Sequence, residues 1–247
     1  MKILMSNDDG VFAKGLATLH HTIASEHDVT VVAPDRNCSG ASNALSLHQP
    51  LRVQRMESGF YSVSGTPSDC VHLGLSRILE SDPELVVSGI NHGANLGDDV
   101  VYSGTVAAAT EGRYMGLPAI AVSLNGKEGK HFDTAAKVVL EIINKLTAHP
   151  LPANQILNVN VPDVPYEKLK GIQVTRQGRR HRAEPMIKDT DPFGNTVYWY
   201  GPAGAEQDAG EGTDFYAVAN GYCSVTPLSV DMTAYQSLDS MKAWLAK

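Results

Sequence analysis

The chain has 247 residues, enough for one large α/β domain or for a domain that carries a smaller appendage. Its formal net charge of −7 opposes binding to long nucleic acids, because their affinity rests mainly on phosphate neutralisation. The apolar runs are too short to cross a bilayer, and the N-terminus has neither a basic leader nor a signal-length apolar stretch. The three cysteines include no Cys-x-x-Cys pair. We therefore expect a cytoplasmic protein with reduced thiols that binds neither membranes nor long nucleic acids.

Strand-like and helix-like segments alternate along the first two thirds of the chain. The predicted strands are Ile3–Met5, Val29–Ala33, Leu85–Ser88, Ala119–Ser123 and Ile156–Val161. The predicted helices lie near residues 15–25, 67–80, 105–115 and 132–147, and Thr66 is the expected N-cap of the second one. This order is typical of a parallel sheet with helices on both faces. The sequence thus predicts an α/β fold with a three-layer, Rossmann-like parallel sheet.

The pattern changes after about residue 170 to short strand candidates separated by glycine, proline and charged loops. The candidates are Ile172–Thr175, Thr196–Tyr200 and Tyr222–Thr226, and the aromatic residues Trp199, Tyr200 and Tyr222 suggest a hairpin. Residues Tyr235 to Leu245 predict a terminal helix. We therefore predict an α/β core at residues 1–170. Residues 171–247 would form a C-terminal hairpin and helix extension used for oligomerisation.

Small, polar, glycine-bearing loops follow three of the predicted strands. They are Ser6–Gly10, Asp35–Asn43 and Ser88–Thr105. Parallel strands present their carboxyl ends at one edge of the sheet, so the three loops should converge on one crevice. Asp8 and Asp9 in the first loop repel each other, and a site that keeps both ionised usually holds a hard cation. A solvated Asp-Gly turn would explain an isolated pair, but the convergence of loops favours a divalent-metal site.

The third loop opens onto an alanine-rich helix start at Ser103, Gly104 and Thr105. A helix N-terminus supplies free N–H donors and partial positive charge, and the two hydroxyls can add hydrogen bonds to a bound phosphate. The same residues can equally form an ordinary Ser/Thr cap. The sequence leaves both interpretations open.

Several other catalytic motifs are missing or incomplete. Gly10 and Gly15 have P-loop spacing, but Leu16 and Ala17 occupy the positions that need Lys and Ser or Thr. No Gly-x-Ser-x-Gly elbow occurs, and no Gly-x-Gly-x-x-Gly follows the first strand, so serine hydrolases and dinucleotide-binding enzymes lose their main support. His92 is left outside the predicted site. A basic cluster could reach a longer anionic substrate or a partner chain, but a solvated hairpin turn is the favoured interpretation; the cluster comprises Arg176, Arg179, Arg180, His181 and Arg182.

Short motifs along nearly the whole chain carry a family resemblance. They are Ser6–Gly10, Ala33–Arg36 with Ser39–Gly40, Gly65–Pro67 with Asp69–Val71, Val87–Asn91, Asn95–Gly97, Tyr102–Val106 and Thr226–Leu228. In this order the chain resembles the SurE family of survival-protein nucleotidases. The resemblance implies one divalent cation per subunit, Mg²⁺ or Mn²⁺, and the implied ligands are Asp8, Asp9, Ser39 and Asn91. It also implies hydrolysis of nucleoside 5′- and 3′-monophosphates, trimming of short polyphosphate in some members, and a homodimer or homotetramer formed through the C-terminal arm.

The residues and the resemblance together predict a metal-dependent phosphomonoesterase. Asp8 and Asp9 are the predicted catalytic residues, and Asp9 is the candidate for orienting or deprotonating the attacking water. The predicted phosphate-binding residues are Asn95, Ser103, Gly104 and Thr105. One alternative is a nucleotide-binding regulatory module without turnover. Another is a metal-dependent hydrolase of acyl or amide substrates, although the chain lacks His-rich zinc spacing.

Overall fold

Nine strands form one mostly parallel sheet at the centre of the computed structural model, which describes residues 1–246. The strands, in chain order, are β1 (Lys2–Ser6), β2 (Asp28–Pro34), β3 (Val53–Arg55), β4 (Tyr61–Val63), β5 (Leu85–His92), β6 (Ala119–Asn125), β7 (Ile156–Pro162), β8 (Ile172–Val174), β9 (Arg179–Arg180), β10 (Ile187–Thr190), β11 (Thr196–Trp199), β12 (Glu206–Asp208) and β13 (Cys223–Leu228). The large sheet has the order β3-β4-β2-β1-β5-β6-β7-β13-β8. The helices are α1 (Lys14–Ile23), α2 (Pro67–Leu73), α3 (Gly104–Tyr114), α4 (Phe132–Ala148), α5 (Asp214–Ala219) and α6 (Leu238–Leu245).

The central strands are apolar on both faces because helices cover both sides of the sheet. In β1, Ile3 and Met5 pack in the cluster that includes α1 and α4, whereas Leu4 packs on the opposite side with α2 and α3. Side chains alternate across a strand, so one apolar run supplies both clusters. The resulting helix–sheet–helix architecture is the α/β fold predicted from the sequence, and the fold class is confirmed.

Helix α2 begins as its sequence predicts. The Thr66 hydroxyl accepts the N–H of Asp69 (3.1 Å), and the Asp69 carboxylate accepts the N–H of Thr66 (2.9 Å), which completes a capping box. The helix is shorter than expected, because a π-helical turn at Gly74–Ile78 replaces its last part. Strand β5 is longer than expected and continues to His92, so the first residues of the predicted third loop belong to the strand.

The C-terminal part of the chain contributes to the large sheet as well as to separate ribbons. Strand β13 pairs antiparallel with β7 and parallel with β8, whereas β10 and β11 form a separate hairpin. The predicted grouping of Tyr222 with Trp199 in one hairpin is therefore wrong. Aromatic content does not specify which strand a segment pairs with. The buried residues 223–226, which follow Tyr222, suit a strand in the interior of the sheet. The domain division at residue 170 stays a prediction.

No helix within residues 1–246 is both long enough and apolar enough to cross a membrane. Helix α6 lies at the end of the described chain, and none of its residues is buried. Its apolar side chains are therefore left on the surface.

Candidate active site

Three loops meet around the two aspartates that follow β1. The N–H of Cys38, in the loop after β2, donates to the carbonyl of Asp8 (2.7 Å). The hydroxyl of Thr105, at the start of α3, donates to Oδ1 of Asp8 (2.5 Å). The N–H of His92, at the end of β5, donates to Oδ2 of Asp9 (2.9 Å). The expected convergence of the three loops is thus present in the structure.

Asp8 is buried between β1 and the N-terminus of α3. A Cβ atom added to Gly104 would lie 2.8 Å from the Cβ of Asp8, so the glycine allows the helix to approach the aspartate closely. Burial raises the pKa of Asp8, and the charge of Asp9 raises it further, while hydrogen bonds from the Thr105 side chain and backbone oppose the shift. Gly104 therefore faces a predicted metal ligand, and a bulkier residue there would displace Asp8.

Asn37 connects two predicted metal ligands. Its Nδ2 lies 3.4 Å from Oδ1 of Asp9, and its Oδ1 accepts the N–H of Ser39 (2.8 Å). Asn91, near the end of β5, donates its Nδ2 to the carbonyl of Gly93 (2.8 Å), which leaves its Oδ1 as the atom that a cation would bind. Asn37 lies in the second predicted loop, but its contacts depend on the fold of that loop, so the sequence pattern does not distinguish it from its neighbours.

The oxygen atoms of the predicted ligands suit a hard divalent cation. Asp8 and Asp9 offer carboxylate oxygens, Ser39 a hydroxyl and Asn91 an amide oxygen, which is the ligand chemistry that Mg²⁺ and Mn²⁺ prefer. Within residues 1–246, no group of three or more His, Cys, Asp or Glu side chains could hold a metal. The buried Oδ1 of Asn7 has no hydrogen-bond partner among the described residues. A cation here would thus depend on neutral oxygens together with the two carboxylates.

Ser103 and Thr105 have different partners in the structure. The Ser103 hydroxyl accepts the N–H of Val106 (3.1 Å) and caps α3. Thr105 is fully buried, and its hydroxyl binds Asp8. The cap geometry is therefore present at Ser103, while the predicted phosphate contacts of Ser103, Gly104 and Thr105 stay predictions. Because α3 has eleven residues, its dipole adds partial positive charge at this end.

Asn95 is held by side chains of neighbouring strands. Its N–H donates to Oδ1 of Asn160 (2.8 Å), and its carbonyl accepts Nδ2 of Asn158 (2.9 Å) and of Asn160 (3.0 Å). Its own Nδ2 donates to the hydroxyl of Ser123 (2.7 Å). No direct hydrogen bond joins Asn95 to Asp8 or Asp9 in the described residues. One feature of the sequence indicates this hydrogen-bond network: Asn158 and Asn160 alternate with apolar residues along β7.

The basic cluster at residues 176–182 is only partly solvated. Arg180 binds Asp99 through two of its nitrogens, and its side chain is 23% exposed. The sequence interpretation of a solvated turn is wrong for Arg180, because its acidic partner is distant in the chain. Arg176 is exposed, but it is ion-paired with Asp208 and forms an isolated β-bridge with Thr213 rather than a hairpin turn.

Similarity to known proteins identifies the family of this chain. Residues 3–184 match the family described as Survival protein SurE. The chain belongs to the SurE family. A 5′-nucleotidase SurE from Pseudoalteromonas atlantica is 70% identical over 247 residues, which cover all of both chains. The crystal structure of a SurE protein from Aquifex aeolicus is 47% identical, with a TM-score of 0.88 over the full length of both chains. The family resemblance seen in the sequence is confirmed.

Proposed function

We propose that this SurE chain is a divalent-metal-dependent phosphomonoesterase that hydrolyses nucleoside 5′- and 3′-monophosphates. The observation that carries the proposal is the contact of Asp8, the residue before Asp9, with the N-terminus of α3 at Thr105. Paired carboxylates can hold a cation, and a helix N-terminus can receive a phosphate beside it. The name of the relative that is 70% identical supports nucleotides as substrates. Short polyphosphate is a further proposed substrate.

Asp8, Asp9, Ser39 and Asn91 would hold one cation, either Mg²⁺ or Mn²⁺. When bound, it supplies positive charge that lowers the pKa of water and stabilises charge developing on phosphate oxygens. Thr105 fixes Asp8 through the 2.5 Å hydrogen bond, and Asn37 tethers Asp9 to the Ser39 loop. These contacts preorganise the ligands before substrate arrives.

The phosphate would lie at the start of α3. The hydroxyl of Ser103 accepts from Val106, so its own proton stays available for a phosphate oxygen. Free N–H groups of the first helical turn can donate to the remaining oxygens. Asp9 would orient the attacking water or take its proton, and its hydrogen bond from the N–H of His92 fixes the carboxylate for this role.

A phosphomonoester panel assayed with Mg²⁺, Mn²⁺ or chelator tests this function. We expect nucleoside monophosphates to be hydrolysed with either metal, chelation to abolish phosphate release, and the metal to restore it. Asp8→Asn should require far more metal for activity, whereas Asp239→Asn, a change at an exposed carboxylate, should behave as the wild type. Tight nucleotide binding without phosphate release would instead support a regulatory module. Wild-type turnover of Asp8→Asn at low metal concentration would refute the metal assignment.

A homodimer or homotetramer is the proposed assembly. The apolar side chains of α6 support it, since Trp244 is 66% exposed and Leu245 is 76% exposed in the single chain. A cytoplasmic location is also proposed, and the free thiols Cys38, Cys70 and Cys223 support a reducing compartment.

A further inference from the structure

The segment that precedes the proposed phosphate-binding residues is anchored by a buried carboxylate from the C-terminal part of the chain. Asp214, the first residue of α5, is fully buried. Its Oδ2 accepts the N–H of Gly97 (2.7 Å), and its Oδ1 accepts the N–H groups of Gly178 (2.8 Å) and Phe215 (2.9 Å). Because a buried carboxylate is stable only when hydrogen bonds compensate for lost water, these partners hold one another in place.

A second contact holds the same segment two residues later. The guanidinium of Arg180 binds both oxygens of Asp99 at 2.8 to 3.0 Å, and the backbone N–H of Arg180 donates to Asp98 (2.7 Å). The guanidinium also lies over the ring of Phe215, 4.8 Å from its centroid. An arginine held by a carboxylate, an aromatic ring and its own strand has little freedom to move.

Only Ser103 separates the anchored segment from the first residue of α3. Residues Gly97–Tyr102 form a 3₁₀ helix, and its last hydrogen bond runs from the N–H of Ser103 to the carbonyl of Val100 (3.3 Å). Ser103 then caps α3. A shift of Gly97 or Asp99 would therefore be transmitted to Ser103 and Thr105 rather than absorbed by a loop.

We propose that Asp214 and Arg180 are positioning residues for catalysis. They clamp Gly97–Tyr102 and thereby fix the start of α3 against Asp8. The inference rests on the proposed function, since it assumes that the start of α3 binds phosphate. Neither residue touches the reacting atoms. The C-terminal segment thus completes the catalytic site in addition to extending the sheet.

If the clamp had a purely structural role, its loss would have a different effect. Variants that break the clamp would then lower thermal stability and leave phosphate affinity and KM unchanged. A positioning role must change the affinity for inorganic phosphate, because a displacement of about 1 Å in a catalytic group is enough to cost up to a hundredfold in rate.

The test compares Arg180→Met, Asp99→Asn and the double variant, with Arg176→Met as the matched control. Arg176 is in an equivalent Arg–Asp pair with Asp208, in the same part of the chain but at the surface. Inorganic phosphate binding is measured by calorimetry at saturating Mg²⁺, next to KM, kcat and melting temperature. These partly exposed residues are chosen because Asp214 variants risk failing to fold.

We expect both single variants to weaken phosphate binding and raise KM by about tenfold, and the double variant to be no worse than either one. Arg180→Lys should lie between Arg180→Met and the wild type, and Arg176→Met should match the wild type. If the clamp variants bind phosphate within about twofold of an active wild type, the clamp proposal fails and the proposed function stands. A wild type that binds phosphate without hydrolysing nucleotides refutes the proposed function and, with it, the catalytic role of the clamp. A wild type that hydrolyses nucleotides but binds no phosphate refutes the clamp proposal alone.

Discussion

The carboxylate of Asp8 accepts a hydrogen bond from the hydroxyl of Thr105, a residue 97 positions later in the chain. Burial disfavours its ionised form and raises its pKa, and the hydrogen bond from Thr105 opposes that effect. Thr105 therefore contributes to the site through Asp8, whether or not it also contacts phosphate. The sequence alone had suggested only a choice between a phosphate ligand and a helix cap.

Replacing Thr105 separates these contributions. Thr105→Ala removes the donor and leaves Asp8 buried with fewer partners, which costs about 1 to 3 kcal/mol of interaction energy. We expect it to raise the Mg²⁺ concentration needed for half-maximal activity and to lower turnover. Thr105→Ser retains the hydroxyl and should keep most of both properties. A metal titration of activity checks the pair of variants, and equal behaviour of the alanine and serine variants would show that the hydroxyl is irrelevant.

Helix α3 illustrates how one element serves both stability and chemistry. Its first turn is capped by Ser103, while its second residue, Thr105, binds Asp8 and Gly104 lets the helix pack against that aspartate. The alanine-rich sequence after this turn allows close packing on the sheet, because its small side chains are buried. Position 103 therefore offers a way to distinguish a capping role from a phosphate-binding role.

Ser103→Asn and Ser103→Asp differ mainly in charge. Both residues are good N-caps, so each variant should melt near the wild-type temperature. If phosphate binds at this helix terminus, the added charge of Ser103→Asp should repel it and weaken inorganic phosphate binding at least about tenfold more than Ser103→Asn does. Phosphate affinity and melting temperature are measured side by side. Equal phosphate affinities of the two variants would place the phosphate elsewhere.

The C-terminal part of the chain has two roles in the whole molecule. Strand β13 ends at Leu228 and belongs to the large sheet, so a truncation at residue 171 would remove part of the core. The chain beyond it leaves the body of the protein, and α6 carries the exposed apolar residues Leu238, Met241, Trp244 and Leu245. The extension predicted from the sequence therefore combines a core strand with a surface arm.

Removing residues 232–247 should convert the oligomer into a smaller species without unfolding the sheet, because β13 and the partly buried Val230 remain. In the full-length chain, Trp244→Glu should weaken assembly in the same way. Lys242→Glu is the matched control, since it changes an exposed charge on the same helix and keeps its apolar side chains. Sedimentation at micromolar concentration is the measurement. A monomeric wild type would refute the proposed assembly.

Local patterns in the sequence were sufficient to predict the α/β fold class, the five parallel strands from Ile3–Met5 to Ile156–Val161 and the convergence of the loops around Asp8 and Asp9. They succeed because strand and helix periodicities are short-range, and because parallel strands always bring their carboxyl ends to one edge. The short strands β3 and β4 were missed, since three residues carry too little periodicity. The family motifs then supplied the implied ligands Ser39 and Asn91.

Only the tertiary structure revealed the contacts between residues that are distant in the chain. Asp214 lies 117 positions from Gly97, and Asn160 lies 65 positions from Asn95, yet each pair is joined by a hydrogen bond of under 3 Å. No local pattern distinguishes an aspartate that only begins a helix from one that also anchors a remote segment. The physical reason is that a buried polar group must find partners wherever the packed chain places them, and that placement depends on the whole fold.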